Sequence, residues 1–352
     1  MVISDKINPN NVSNTFSKNS FNNISPKIIP LISKKKKVLD LVSLESLTKY
    51  PFKDHLNKKS KSILILGGAG YIGSYLTKIL LSKNYKVIVF DKFIYRSMKN
   101  FKDKFKHKNL KIIKSDTNDT GKLLNYLREA KYVVHLAEMV GDPLCNIKPQ
   151  KTYEINYLNT LLISTICKNL FIEKFIYISS CSVYGSNKKI VNELSNINPL
   201  SIYAKIKAIT EKILIKNLDG ECKPCILRLG TVYGNSWRQR YDLVINLFGN
   251  LVANNKKINI KNGDQWRPFI HVKDVCDLIL KILKSPSKKI NGQIFNAVGE
   301  NMSINQLGKL IQKKFNYKNV TYTEDNIDKR NYRASNKKII NLLKFKTKIK
   351  IS

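Results

Sequence analysis

The sequence predicts an α/β fold, a doubly wound parallel sheet with helices on both faces and a smaller C-terminal lobe. Three observations carry this. Ile63 to Leu66 is an unbroken apolar run, as expected of a strand covered on both faces. Glycines follow at once, and then Tyr71, Ile72, Tyr75, Leu76, Ile79 and Leu80 recur at helical spacing. Strand-like and helix-like segments keep alternating as far as Leu229, the pattern that builds parallel sheets through right-handed crossovers.

In chain order, Lys86 to Phe90 reads as the second strand and ends in Asp91. A lysine-rich linker leads to a strand at Leu110 to Ile113, a helix around Leu123 to Glu129 and a strand at Tyr132 to Leu136. A long helix is expected over about 152–170. The strand Phe175 to Ile178 runs into Ser179-Ser180-Cys181-Ser182, followed by a helix over about 201–217 and a strand at Pro224 to Leu229. Past Gly234 the rhythm breaks. Polar loops, a helix at Asp242 to Ala253 and the run Gln265 to Val272 indicate a lobe over the carboxyl ends of the strands, where such sheets bind ligands. The expected division gives 61–233 and 272–298 to the sheet domain, and 234–271 and 299–352 to the smaller lobe. Residues 1–60, rich in Asn, Ser and Lys, are expected to be largely disordered, with a short helix over Leu39 to Leu47.

Across 352 residues, 63 Lys and Arg face 25 Asp and Glu, a net charge of +38. Alone, that charge points to nucleic acid or an anionic membrane. The cations, however, are mostly lysines spread along the whole chain among abundant Asn and Ile, which reads as coding bias. Arginine, the better bidentate reader of phosphate, is scarce. No nucleic-acid or membrane partner is therefore expected, and no apolar run approaches spanning length. Six scattered cysteines and the lack of a secretory segment fit a reducing, cytoplasmic location. The Cys222-x-x-Cys225 pair lacks the second pair or histidines a zinc site needs, so no metal is expected.

The chemistry concentrates in two places. Gly67, Gly70 and Gly73 form G-x-x-G-x-x-G between strand and helix. This reads as a Rossmann-type dinucleotide turn: Gly67 permits the sharp turn, Gly70 lets backbone approach a pyrophosphate closely, Gly73 lets the helix pack on the strand, and the helix N-terminus at Tyr71 and Ile72 offers its N–H groups and partial positive charge to the cofactor's phosphates. Asp91, at the end of the second strand, sits where a carboxylate accepts hydrogen bonds from an adenosine ribose and repels a 2′-phosphate, which favours NAD over NADP, with Lys92 next to it acting slightly the other way. The second place is Tyr203-x-x-x-Lys207, one turn apart on one helix face. An ammonium beside a phenol favours phenolate, making Tyr203 the expected general base. Ser180, just past a strand end, is placed to bond the same substrate oxygen.

With these motifs in place, the chain resembles the extended short-chain dehydrogenase/reductases, and among them the NAD-dependent nucleotide-sugar epimerase/dehydratase family of UDP-glucose 4-epimerase-like enzymes, over about 62–352. Further anchors are Asp116, His135-Leu136-Ala137, Asn156, Ser179 to Gly185, Arg228 to Gly234 and Trp266 to Val272. The resemblance implies that Asp116 lies near the adenine, that Leu136 and Ala137 line the cofactor channel, and that Asn156 supports the site. It makes Ser180, Tyr203 and Lys207 the catalytic triad and places Lys207 on the nicotinamide ribose. It assigns Ser180, Cys181, Ser182 and Thr231 to the substrate, Arg267 to its diphosphate or nucleoside, and Arg330 as a second candidate for that anion. Glu138 and Asp142 are the nearest further carboxylates, each equally readable as a helix-capping loop residue. His135 and His271 read as strand-end structural histidines. In 4,6-dehydratases an Asp and a Glu follow the catalytic hydroxyl residue and move protons; here Cys181 and Ser182 follow it, which argues against dehydration. The implied function is NAD-dependent epimerisation of a nucleotide-diphosphate sugar, at C4 of a UDP-hexose, by a homodimer paired through the two long helices. A 4-keto-reductase or 4,6-dehydratase of a nucleotide deoxysugar is the alternative, and a non-catalytic RNA-binding or scaffold relative the distant one.

Overall fold

The computed structural model of the chain describes residues 62–217, 224–324 and 328–351. The extension at 1–60, its expected helix and Cys222 lie outside them. Seven parallel strands form the central sheet: β1 (Ser62–Leu66), β2 (Lys86–Asp91), β3 (Leu110–Lys114), β4 (Tyr132–His135), β5 (Lys174–Ser180), β7 (Cys225–Leu229) and β11 (Ile294–Ala297), in the spatial order β11-β7-β5-β4-β1-β2-β3. All five residues of β1 are buried, and its four apolar side chains, Ile63 to Leu66, alternate between two separate cores. Ile63 and Ile65 pack with Val87, Val89, Val134 and Ile176 on one face. Leu64 and Leu66 pack with Ile88, Phe90, Val133 and Phe175 on the other. A strand serving two cores has no polar position to spare, hence the unbroken apolar run.

Helices α1 (Tyr71–Ser82), α2 (Met98–Lys104), α3 (Thr120–Glu129), α4 (Asp142–Ile147), α5 (Pro149–Tyr153), α6 (Asn159–Asn169), α7 (Ile202–Asn217), α8 (Val244–Ala253) and α9 (Val272–Lys284) follow. Two of them correct the sequence expectations. The lysine-rich linker contains α2, capped by Ser97, whose hydroxyl accepts from Asn100 N at 3.2 Å, and anchored by buried Phe101. The long helix expected over 152–170 is α5 and α6 joined through a π-helical turn, Glu154–Leu158. Such turns insert one residue and re-aim a side chain; here it is Asn156, which is fully buried.

The smaller sheets shape the cleft above the strand ends. β8 (Thr231–Tyr233), β10 (Trp266–His271) and β12 (Glu300–Ser303) form one, with β10 in the middle. β9 (Ile258–Lys261) pairs with β13 (Val320–Thr323). Tyr233, Phe248, Ile258, Ile260, Phe269, Leu307 and Ile311 form a core of their own under these strands. β6 (Ser186–Val191) pairs in parallel with β14 (Asn331–Ala334), which brings Arg330 over the segment that follows β5.

A buried polar network ties the sheet to α7. Arg228 on β7 holds the Glu211 carboxylate through Nε at 3.1 and 3.0 Å and through a terminal nitrogen at 2.6 Å. Its other terminal nitrogen donates to the Tyr184 hydroxyl at 2.9 Å, which donates in turn to Asn296 at 2.8 Å. Ser179, next to the expected catalytic serine, also donates to Glu211.

Candidate active site

The glycine turn is built as a cradle. Gly67 has φ +80°, and a Cβ there would lie 2.8 Å from Ala137 N on the neighbouring strand end. A Cβ on Gly73 would lie 2.3 Å from Gly67 O and 2.7 Å from Gly68 Cα, so the first turn of α1 closes on the strand only without a side chain. Gly73→Ala therefore forces backbone apart. It is expected to cost about 1–3 kcal/mol of stability and to weaken NAD binding roughly tenfold or more, read by thermal melts with and without added NAD. An alanine variant with wild-type NAD-induced stabilisation would show that the cradle is not the cofactor site.

Around the cradle, both Asp91 oxygens are engaged by backbone: Ala69 N donates at 2.9 Å and Phe93 N at 2.7 Å. Burial pushes the Asp91 carboxyl up, against those two amides and the charge of Arg238. Asp116 is paired with Lys92 at 2.6 Å. The loop after β8 lies across the start of α1. The Tyr71 hydroxyl donates to Gly234 O at 2.6 Å, and the Ser236 hydroxyl donates to Tyr71 O at 2.6 Å. The same loop sets Trp237 against Phe101 and Phe105, with ring centroids 5.1 and 6.0 Å apart, and Arg238 over Tyr95 at 3.8 Å. Ile72, Leu136 and Ala137 are half-buried at this edge. Asn156 grips the loop after β4 with both ends of its amide, accepting from Met139 N at 2.8 Å and donating to Met139 O at 2.7 Å.

Ser180, the last residue of β5, is half-buried, and its hydroxyl accepts from Ser182 N at 3.1 Å. That bond starts a 3-10 turn, Cys181–Tyr184, and the turn decides what the next residues face. Cys181 is 0% exposed, its thiol directed at Arg228 O at 3.2 Å within a core that includes Val183, Tyr184 and Tyr332. This corrects its assignment to the substrate: adjacency to Ser180 does not place it in the cleft. Ser182 is buried with a hydroxyl that meets no hydrogen-bond partner among the described residues.

Tyr203 lies in the first turn of α7, half-buried, and Lys207 one turn on is 1% exposed. The ammonium lies 5.7 Å from the Tyr203 ring centroid. It is turned to three acceptors: the Glu138 carboxylate, Ile178 O and, at 3.3 Å, the Tyr177 hydroxyl. Burial and the Glu138 charge push the Tyr203 phenol well above its ordinary value, opposed by Arg240. His135 is held neutral, its pKa lowered to about 3 by burial and by Lys207, with one ring nitrogen on Thr160 at 2.8 Å. His271 caps α9, accepting from Lys273 N at 3.1 Å.

Arg267 and Arg330 share a carboxylate. Arg267 is buried and donates to Asp328 at 2.9 Å. Arg330 donates to Asp328 at 2.8 and 2.6 Å and, across the cleft, to Asp142 at the start of α4. Burial raises the Asp328 carboxyl, but the Arg330 hydrogen bonds and the Arg267 charge win and hold it at about 2. Thr231 heads β8 beside Phe269, half-buried. Among the described residues no cluster of three or more His, Cys, Asp and Glu has the arrangement to hold a metal, and no helix is long and apolar enough to cross a membrane.

This architecture is shared with known proteins. The pattern of the NAD dependent epimerase/dehydratase family matches residues 63–297. The chain is 33% identical to a dTDP-D-glucose 4,6-dehydratase of Dictyostelium discoideum over 266 residues, 70% of this chain and 60% of that enzyme's length. It is 29% identical to a putative UDP-glucose 4-epimerase of Methanocaldococcus jannaschii over 261 residues, 73% of this chain and 83% of the relative. In structure it is similar to a UDP-glucuronic acid 4-epimerase from Bacillus cereus solved with UDP-glucuronic acid and NAD, with a TM-score of 0.73 at 27% identity, covering 82% of this chain and 95% of that one. Fold and glycine turn thus define a Rossmann-type nucleotide-sugar enzyme class of the short-chain dehydrogenase/reductase type. The chain belongs to the NAD-dependent epimerase/dehydratase family. NAD is the cofactor of that family, and the side-chain-free cradle at Gly67 and Gly73 fits it.

Proposed function

We propose that the protein is an NAD-dependent epimerase of a nucleotide-diphosphate sugar, acting at C4 of a UDP-hexose through a transient 4-keto sugar. Bound NAD supplies the acceptor and later the donor for the hydrogen on that carbon. Tyr203 removes the proton of the sugar hydroxyl and returns it. Its own hydroxyl bonds no described residue, which leaves it available to a substrate. Ser180 holds the same sugar oxygen from the end of β5. Arg267 and Arg330 exchange their carboxylate partner Asp328 for the substrate's diphosphate, and Thr231 borders the sugar. A homodimer formed through α6 and α7 belongs to the same proposal.

One observation carries epimerisation over dehydration. The two positions after Ser180 hold a thiol buried in the core and a buried hydroxyl, so no acid/base pair stands there to eliminate water. The identity to the dehydratases keeps the second reading in the experiment. The full chain is incubated with UDP-, dTDP-, CDP- and GDP-sugars without added cofactor, and products are followed by NMR. Inversion at C4 of one UDP-hexose is the expected result. Loss of water from a dTDP- or UDP-sugar would replace the reading with dehydration, and a requirement for fresh reductant would replace it with keto-reduction.

A further inference from the structure

The buried charge beside Tyr203 has a structure of its own. Glu138 comes from the loop after β4, and its side chain is 4% exposed against 1% for Lys207. One carboxylate oxygen takes the Lys207 ammonium, and the other accepts from the Tyr177 hydroxyl at 3.0 Å. Tyr177 receives Lys207 in turn, so carboxylate, ammonium and phenol close a ring. An ammonium has three N–H donors, and Glu138, Tyr177 and Ile178 O take all three. We propose that Glu138 is a positioning residue: it fixes and neutralises Lys207, so that Tyr203 stands beside an electroneutral pair instead of a bare cation. The inference rests on the proposed role of Tyr203 but not on which sugar is turned over.

The other charges facing the two groups are few. Tyr203 also meets Arg240, Cys145 and Asp142. Arg240 is already paired with Asp242 on its own loop. Lys207 also meets His135, which is neutral, and the Cys145 thiol, which burial pushes up, and Tyr177 faces Tyr203. Glu138 is therefore the anion whose removal leaves an uncompensated cation next to the phenol. A Glu138→Gln variant keeps the shape and loses the charge, and the Tyr203 titration then moves down by roughly 1–2 pH units. Glu138→Asp keeps the charge and leaves it near the wild-type position.

The test is a tyrosinate absorbance titration of the full chain at matched NAD content. Because the chain has 17 tyrosines, each protein is read against its own Tyr203→Phe counterpart. A downward shift in Glu138→Gln, absent in Glu138→Asp, is expected. Coincident midpoints in wild type and Glu138→Gln, or an upward shift, overturn the proposal. Should Glu138→Gln not fold, the electroneutral Glu138→Gln/Lys207→Met protein replaces it. A midpoint unchanged from wild type supports neutralisation, and a raised midpoint shows that Lys207 was acting on Tyr203 unneutralised. The readout is independent of turnover. Absence of any sugar product with the shift present would defeat the epimerase reading and leave this inference standing.

Discussion

Tyr203→Phe is expected to lower kcat by about a thousandfold, within the range that general acid–base groups contribute, while leaving NAD binding and the fold intact. The change deletes one oxygen. That oxygen makes no hydrogen bond to a described residue, so nothing in the scaffold loses a partner. The ring itself remains, and with it the packing at the start of α7. What disappears is the atom proposed to take and return the sugar hydroxyl's proton. Ser180 is a poor substitute, because an alcohol is a weak acid and base at its free pKa. The measurement is turnover of the sugar identified with the wild-type protein, together with NAD content and a thermal melt on the same preparation. A variant retaining activity within about tenfold, against the expected range, would remove Tyr203 from the chemistry. Lost activity accompanied by lost NAD or a lowered melting point would instead mark it as structural.

How far the site could be read from the sequence depends on how local each interaction is. The glycine turn was legible because everything it requires lies within one strand, one turn and one helix: β1 feeds two cores, and Gly73 must approach Gly67 O. The Tyr203–Lys207 spacing was legible for the same reason. Their electrostatics were not, because the partner that decides them arrives from another strand end. Glu138 is 69 residues from Lys207, and nothing in Y-x-x-x-K announces it. Cys181 shows the opposite failure: it stands next to Ser180 in the chain, but the 3-10 turn directs its thiol into the core. Helix α2 was hidden by lysines, since its burial rests on Phe101, packed against Trp237 from the distant loop after β8. Arg267 and Arg330 were recognisable as cations near the cleft, but their common tie to Asp328 comes from the way β14 returns beside β6.

The Arg228–Glu211 pair is where the stability of the site should be most exposed to a single substitution. The two side chains are 5% and 3% exposed. A buried pair of this kind is close to neutral as a whole, because the Coulomb gain is offset by desolvation, but removing one partner strands the other. Arg228→Met leaves the Glu211 carboxylate with the Ser179 hydroxyl and no cation, and frees the Tyr184 hydroxyl from its donor. The expected loss is about 3–5 kcal/mol, read as a lowered midpoint in urea with unchanged slope. Arg228→Met with Glu211→Leu replaces both charges by apolar groups and should recover most of that loss, since no ion is then left buried without a partner. The order of the two results is what matters. A double variant as unstable as the single one would mean that the hydrogen bonds to Tyr184 and Ser179, rather than the stranded charge, hold β5 and β7 against α7. In that case the position of Ser180 at the end of β5 would depend on this network directly, and its proposed catalytic contribution should fall along with stability.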